Sequence, residues 1–159
     1  MTEAHPANDP QAARQHWLGV LAHAPRTLLA ERMGELMALP FDTLRAPEVG
    51  LVMLRARVAQ HGERFNLGEA TVSRCVLRHQ DASGRATVGV GYVLGRDMER
   101  VGWIARLDAL LQQPHWRARL MADVVAPLAA ALACERAEAQ ARTAASRVQF
   151  YTLQAEAAA

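Results

Sequence analysis

The stretch GERFNLGEATVSRCVLRHQDASGRATVGVGYVLGRD, Gly62 to Asp97, decides the fold. Two runs within it, TVSRCVLRH (71–79) and TVGVGYVLGRD (87–97), alternate in period two, and Asp81, Ser83 and Gly84 punctuate the gap as a hairpin loop does. The pair reads as antiparallel strands. Ahead of them, GERFNLGE has Gly62 and Gly68 at its ends with Glu63, Arg64, Phe65, Asn66 and Leu67 between. Glycine enters positive-φ backbone without steric cost, so this segment is predicted to be a loop. A loop so dense in large side chains is either tied down or used.

The faces of the two strands carry different messages. In the first, Val72 and Val76 stand beside Arg74 and Arg78, with Ser73, Cys75 and Leu77 opposite, so neither side reads as plainly wet. A half-apolar face lined with arginine stems suits a sheet covered by another protein, and it also suits an edge strand whose arginines snorkel. In the second strand Val88, Val90 and Tyr92 point one way and Gly89 and Gly91 the other. Glycines repeated on one face leave the pleat bare, which lets a helix or a partner's backbone come close.

Working outward, Asp9-Pro10 reads as a helix entry, with Trp17, Leu18 and Leu21 as an apolar stripe ending near His23. Pro25 opens a second helix that buries Leu28, Leu29, Met33, Leu36 and Met37 and closes at Pro40. Phe41–Ala46 and Leu51–Val58 read as two strands joined around Pro47, Glu48 and Gly50. In the second of these, Val52, Leu54, Ala56 and Val58 share a core-facing side, and Met53, Arg55 and Arg57 share the other. Beyond the hairpin, Asp97 is an N-cap with Glu99 in the first turn, and Trp103, Ile104, Leu107, Leu110 and Leu111 form a broad core stripe. Pro114 starts another helix and Pro127 a last, alanine-rich one. Arg147–Leu153 ends the chain as a β-prone arm that adds to this sheet or docks on a neighbour.

The expected fold is therefore α+β: two N-terminal helices, a four-stranded mainly antiparallel sheet, then C-terminal helices with a short terminal strand or arm. Residues 9–154 form one domain, with disordered tails at 1–8 and 155–159. A chain of 159 residues suits one continuous core.

Composition excludes several classes. All eighteen basic side chains are arginine. Arginine grips phosphate or carboxylate with two parallel donors, but a coding bias against lysine gives the same census. Formal net charge is only +2 and the arginines are dispersed among sixteen acids, which speaks against nucleic acid as a partner. No run approaches the roughly eighteen apolar residues that span a bilayer, and the first ten residues do not resemble a secretion signal, so no membrane is expected and the cytoplasm is the expected compartment. Cys75 and Cys134 lie far apart, with no spacing that suggests zinc or a disulfide framework.

No catalytic motif stands up. Phosphate loops, nucleophile elbows, HExxH and calcium loops are all absent from the sequence. The nearest thing to a site is the segment from His61 to Glu69. His61, Glu63 and Glu69 are the catalytic candidates, as acid, base or magnesium ligand through water, and Arg64, Arg74 and Arg96 are candidates for phosphate or partner binding. Arg78, Phe150 and Tyr151 are candidates for an interface. No metal is assigned to this chain.

The runs GLVMLRARVAQHGERFNLGEATVSRCVLRH, GVGYVLGRD, DALLQ, VVAPL and RTAASRVQFYTL, in order over about Gln15 to Leu153, resemble the small G-subunit family (PhnG) of the bacterial carbon-phosphorus lyase core complex. The resemblance implies a subunit that acts with the H, I and L proteins to displace adenine from ATP by an alkylphosphonate. The product of that step is a ribose 1-phosphonate carrying a 5-triphosphate, and Mg-ATP is a substrate of the whole complex, with no cofactor bound by this chain alone. It further implies a core of G, H, I and J chains in paired copies. The J subunit's radical step needs a CxxxCxxC cluster motif that this chain lacks. The resemblance favours an assembly and site-supporting role; an arginine-rich module binding RNA or another anionic ligand, and a stand-alone phosphonate or nucleotide enzyme, are the alternatives.

Overall fold

The computed structural model describes residues 9–58 and 61–146. The first helix, α1 (Pro10–His23), starts where Asp9 Oδ1 accepts the Gln11 N–H at 2.9 Å and proline sits in the first turn. The second expected helix is broken into a six-residue α2 (Arg26–Glu31) and a 3₁₀ turn (Gly34–Ala38). Leu29, Met33 and Leu36 are buried as anticipated, but Met37 is exposed. Gly34 weakens the α-helix, and the tighter 3₁₀ winding repeats every three residues, which keeps Met33 and Leu36 inward and turns Met37 out.

Three strands follow: β1 (Asp42–Arg57), β2 (Arg64–Gln80) and β3 (Ala86–Leu94), antiparallel in the order β1-β2-β3. The expectation of four strands fails at Pro47, where a single long strand continues. Register shifts between Thr43 and Arg45 and between Arg45 and Glu48 absorb the extra residues as bulges. Proline is tolerated because β1 is an edge strand, where a missing donor breaks no ladder bond. The loop expected at Gly62–Glu69 fails too, since Arg64–Glu69 is paired strand and the turn is at His61 and Gly62, where the Gly62 N–H donates to the Val58 carbonyl. Gly68, at φ 150°, lies beside a shift between Leu54 and Arg55, so it serves a bulge and not a loop end.

Asp97 caps α3 (Met98–Leu111), its side chain accepting the Arg100 N–H at 3.0 Å. This helix lies on the sheet. A Cβ at Gly89 would come within 1.9 Å of the Ala105 carbonyl oxygen, and one at Gly91 within 2.0 Å of Val101's. The glycine stripe is thus where α3 seats, backbone against backbone. The sheet face beneath the helices buries Ser73, Cys75, Leu77, His79, Thr87 and Val93, with Trp17, Leu21, Ile104, Leu107, Leu111 and Leu128 among the packed side chains above.

Two further helices were expected from Pro114 and Pro127. Instead α4 (Pro114–Leu120) runs through a π-helical stretch (Met121–Val125) into α5 (Ala126–Ala145) without a break. The widened winding ahead of Pro127 relieves its missing N–H and ring clash inside a continuing helix. Leu128 and Leu132 are buried, while every described residue from Ala133 onward is exposed. No helix among the described residues is long and apolar enough to cross a membrane. The expected tails and the arm at 147–153, with Phe150 and Tyr151, lie outside the described residues.

Candidate functional site

The helices cover one face of the sheet only. On the other face Val88, Tyr92 and Leu94 are exposed, and Arg74 and Arg78 run beside them. These arginines are not free. Arg74 Nε reaches Glu48 Oε1 at 2.6 Å, with Arg45 at 3.4 Å from the same oxygen, and Arg78 Nη2 reaches Asp42 Oδ2 at 2.7 Å. The Arg74–Glu48 and Arg78–Asp42 pairs each join residues directly opposite on β2 and β1, so the charges are neutralised across the ladder.

β1 and β2 also outrun the rest of the molecule. β3 begins to pair at Val72, opposite Leu94, so Leu51–Arg57 and Arg64–Thr71 pair only with each other. Among the described residues from Leu51 to Thr71, none is buried. The core-facing side expected for Val52, Leu54, Ala56 and Val58 therefore faces no core. Leu54 is 38% and Val58 62% exposed, and across the ladder Phe65 is 43% exposed. Such a two-stranded ribbon is marginal in water by itself, and this one presents an apolar face.

The residues singled out from sequence are strung along this arm. His61 and Glu63 lie at its tip, where Val58 N–H donates to the Glu63 carbonyl at 3.2 Å. Arg64 is paired with Arg57 just behind the tip, and Glu69 with Met53 midway. Arg74 is ten residues beyond Arg64 along one strand, a separation of about 30 Å at the usual rise. Arg96 follows Gly95, whose N–H donates to the Thr71 carbonyl at the arm's root. The fold brings His61, Glu63 and Arg64 into one neighbourhood and leaves Glu69, Arg74 and Arg96 outside it. Among the described residues no cluster of three or more His, Cys, Asp or Glu side chains could hold a metal ion.

Two buried ionisable groups, Asp108 and His79, escaped the sequence reading. Asp108, wholly buried, accepts from Arg14 Nη2 at 2.6 Å, Trp17 Nε1 at 2.9 Å and Val90 N–H at 2.9 Å. His79 lies under Phe41, ring centroids 4.9 Å apart, with its Nδ1 2.8 Å from Gln113 Nε2. Burial lowers the His79 pKa, and the Asp81 carboxylate pulls it partly back. Both groups fasten helices to sheet. Two arginines of α3 hold the N-terminal segments instead: Arg100 Nη2 donates to the Ala22 and Ala24 carbonyls at 2.7 Å, and Arg106 Nη1 to Leu39's at 3.1 Å. A groove of about 800 Å³ between α1 and β3 is lined by Arg14, Trp17, Arg85, Val88 and Arg117, away from the arm.

The chain matches the family described as "Phosphonate metabolism protein PhnG" over residues 12–155. It is 39% identical over 137 residues to the alpha-D-ribose 1-methylphosphonate 5-triphosphate synthase subunit PhnG of Rhizobium meliloti (strain 1021), an alignment covering 80% of this chain and 84% of the relative. An open sheet face and a protruding apolar arm, with no gathered set of catalytic groups among the described residues, suit a component of a larger assembly. On the extent of the match and the identity to its relative, the chain belongs to the PhnG family of phosphonate metabolism proteins.

Proposed function

We propose that this chain is a cytoplasmic subunit of the enzyme complex that transfers the ribose 5-triphosphate of ATP onto an alkylphosphonate with release of adenine, and that it contributes by assembly and site support. The H, I and J subunits of the core are its docking partners and the L protein acts with them. Mg-ATP is the substrate of the assembled complex, and this chain alone binds no cofactor. The observation that carries the reading is the arm, Leu51–Thr71, which projects past β3 and leaves Leu54, Phe65 and Leu67 exposed. Aromatic and aliphatic side chains gain most when a partner excludes water from them. His61, Glu63 and Glu69, on the same arm, would act within a site that the partner completes.

Co-expression with the H, I and J proteins tests this. The wild-type chain is expected to co-purify with them. Leu54→Asp/Phe65→Asp is expected to weaken the association by about 2 kcal/mol or more, some thirtyfold, because a carboxylate enters a desolvated contact. The melting temperature should hold, since both positions lie outside the core. Unchanged co-purification of the double variant would refute the docking role.

A further inference from the structure

The arm's two faces differ. One carries Val52, Leu54 and Ala56 opposite Ala70, Gly68 and Phe65 and holds no charge. On the other, Arg57 stands directly opposite Arg64 at the tip, Arg55, two residues back on the same face, stands opposite Asn66, and the one acid on that face, Glu69, stands farther back opposite Met53. All three arginines are exposed. Among the described residues none of them forms an ion pair. Elsewhere on the same two strands the arrangement is reversed, with Arg74 set against Glu48 and Arg78 against Asp42. Like charges directly opposite in an antiparallel pair destabilise the ladder, so the tip needs a counter-charge.

We infer that Arg55, Arg57 and Arg64 dock into an acidic recess on the protein partner that receives the arm, an inference that rests on the assembly reading above. Charge complementarity and the two faces together select this occupant. A ribbon is one layer thick, so protein that covers the apolar face lies close to the cationic one. A small free anion would be held from one side only on a flat ribbon, whereas small-molecule sites are concave. A nucleic acid would leave the apolar face in water and would call for a broader positive field than a net charge of +2 supplies. Arginine matches carboxylates in a bidentate fork, and such pairs fix the register of an interface whose apolar contacts are not directional.

The test uses the full chain co-expressed with the H, I and J proteins, and compares wild type, Arg57→Glu/Arg64→Glu and Arg57→Lys/Arg64→Lys over a range of sodium chloride concentrations. Wild-type association is expected to weaken as salt rises. Charge reversal is expected to lower affinity at low salt by at least about tenfold and to flatten the salt dependence, while the lysine variant keeps most of both. Wild-type affinity in the reversed variant would overturn the inference. So would intact association accompanied by a raised KM for ATP in the assembled enzyme, which would give the arginines to a phosphate ligand instead. Association lost in Leu54→Asp/Phe65→Asp but kept on charge reversal removes this inference alone. If even the wild-type chain fails to associate, the assembly reading falls and takes this one with it.

Discussion

Asp108, fully buried on α3, accepts the backbone N–H of Val90 at 2.9 Å, so a helix carboxylate occupies a position where another strand would pair. Gln112 Nε2 and Arg14 Nη2 reach the Val88 carbonyl at 2.8 Å and 3.3 Å. Three side chains thus satisfy part of β3's outer edge, which blunts it against strand addition. Among the described residues no strand pairs with β3 on this side.

Removing the carboxylate should be costly. Asp108→Ala leaves Trp17 Nε1 and Val90 N–H without an acceptor and Arg14 without its carboxylate, and with each unsatisfied buried donor costing about 1–3 kcal/mol the expected loss is about 3 kcal/mol or more. Arg14→Ala should cost less, about 2 kcal/mol, because Trp17 Nε1 and Val90 N–H still donate to the buried carboxylate and the space vacated by a side chain that is 36% exposed admits water as a replacement donor. Urea unfolding of the two variants measures both, and the opposite ranking would show that Asp108 is not the hub.

Glycine substitutions separate contact from propensity. Gly91→Ala drives a methyl group to 2.0 Å from the Val101 carbonyl oxygen, so α3 must lift from the sheet. The expected cost is about 3 kcal/mol. Gly102, inside α3, has nothing within 4 Å of its added Cβ, and Gly102→Ala should stabilise by about 0.5–1 kcal/mol through helix propensity. Thermal melts should therefore move in opposite directions.

What could be read in advance follows from which interactions are local. Asp9 and Asp97 were legible as caps because a cap acts within three residues, and the Gly89/Gly91 stripe was legible because strand alternation is strict. The continuity of β1 through Pro47 was not, since bulges are set by the partner strand's register. Gly62 and Gly68 read as loop ends, yet only the turn next to Gly62 exists and Gly68 serves a bulge inside the arm. The grouping of Arg55 and Arg57 with Arg64 depended on the same register, whereas strand length alone separates Arg74 from Arg64. Asp108 sat in a helical stripe that looked wholly apolar, and nothing nearby in sequence announced Arg14 as its partner.

The two cysteines should differ in reactivity. Cys75 is 1% exposed, and burial raises its pKa, with the Arg106 charge offsetting only part, so thiolate is scarce there. Cys134 is exposed on α5. A thiol-specific chromogenic reagent at neutral pH should titrate one thiol quickly in the native chain and the second only on unfolding. Cys134→Ser should abolish the fast phase, and a fast phase that survives would mean that Cys75 is open to solvent.

Stability should also carry a mark from His79. His79 is 6% exposed, its ring tilted against Phe41, and its Nδ1 lies 2.8 Å from Gln113 Nε2, which also donates to Thr87 Oγ1. Burial lowers its folded pKa below the ordinary 6.5; His115 pushes the same way, while Asp81 and the Gln113 hydrogen bond oppose it. The unfolded chain therefore takes up a proton near 6.5 that the folded chain refuses. As pH falls below 6.5, stability should drop, by at most about 1.4 kcal/mol per unit from this group, until the folded ring also protonates. Asp81 does not blur this window. The Ser83 hydrogen bond chiefly holds its pKa below 3.8, so its contribution is lost only in stronger acid. Urea unfolding of wild type and His79→Gln at pH 7.5 and 5.5 isolates the effect, because glutamine keeps a hydrogen-bonding group near Gln113 but has no proton to gain. The wild type should lose more stability between the two pH values than the variant; equal losses would show that the buried imidazole is not the group that titrates.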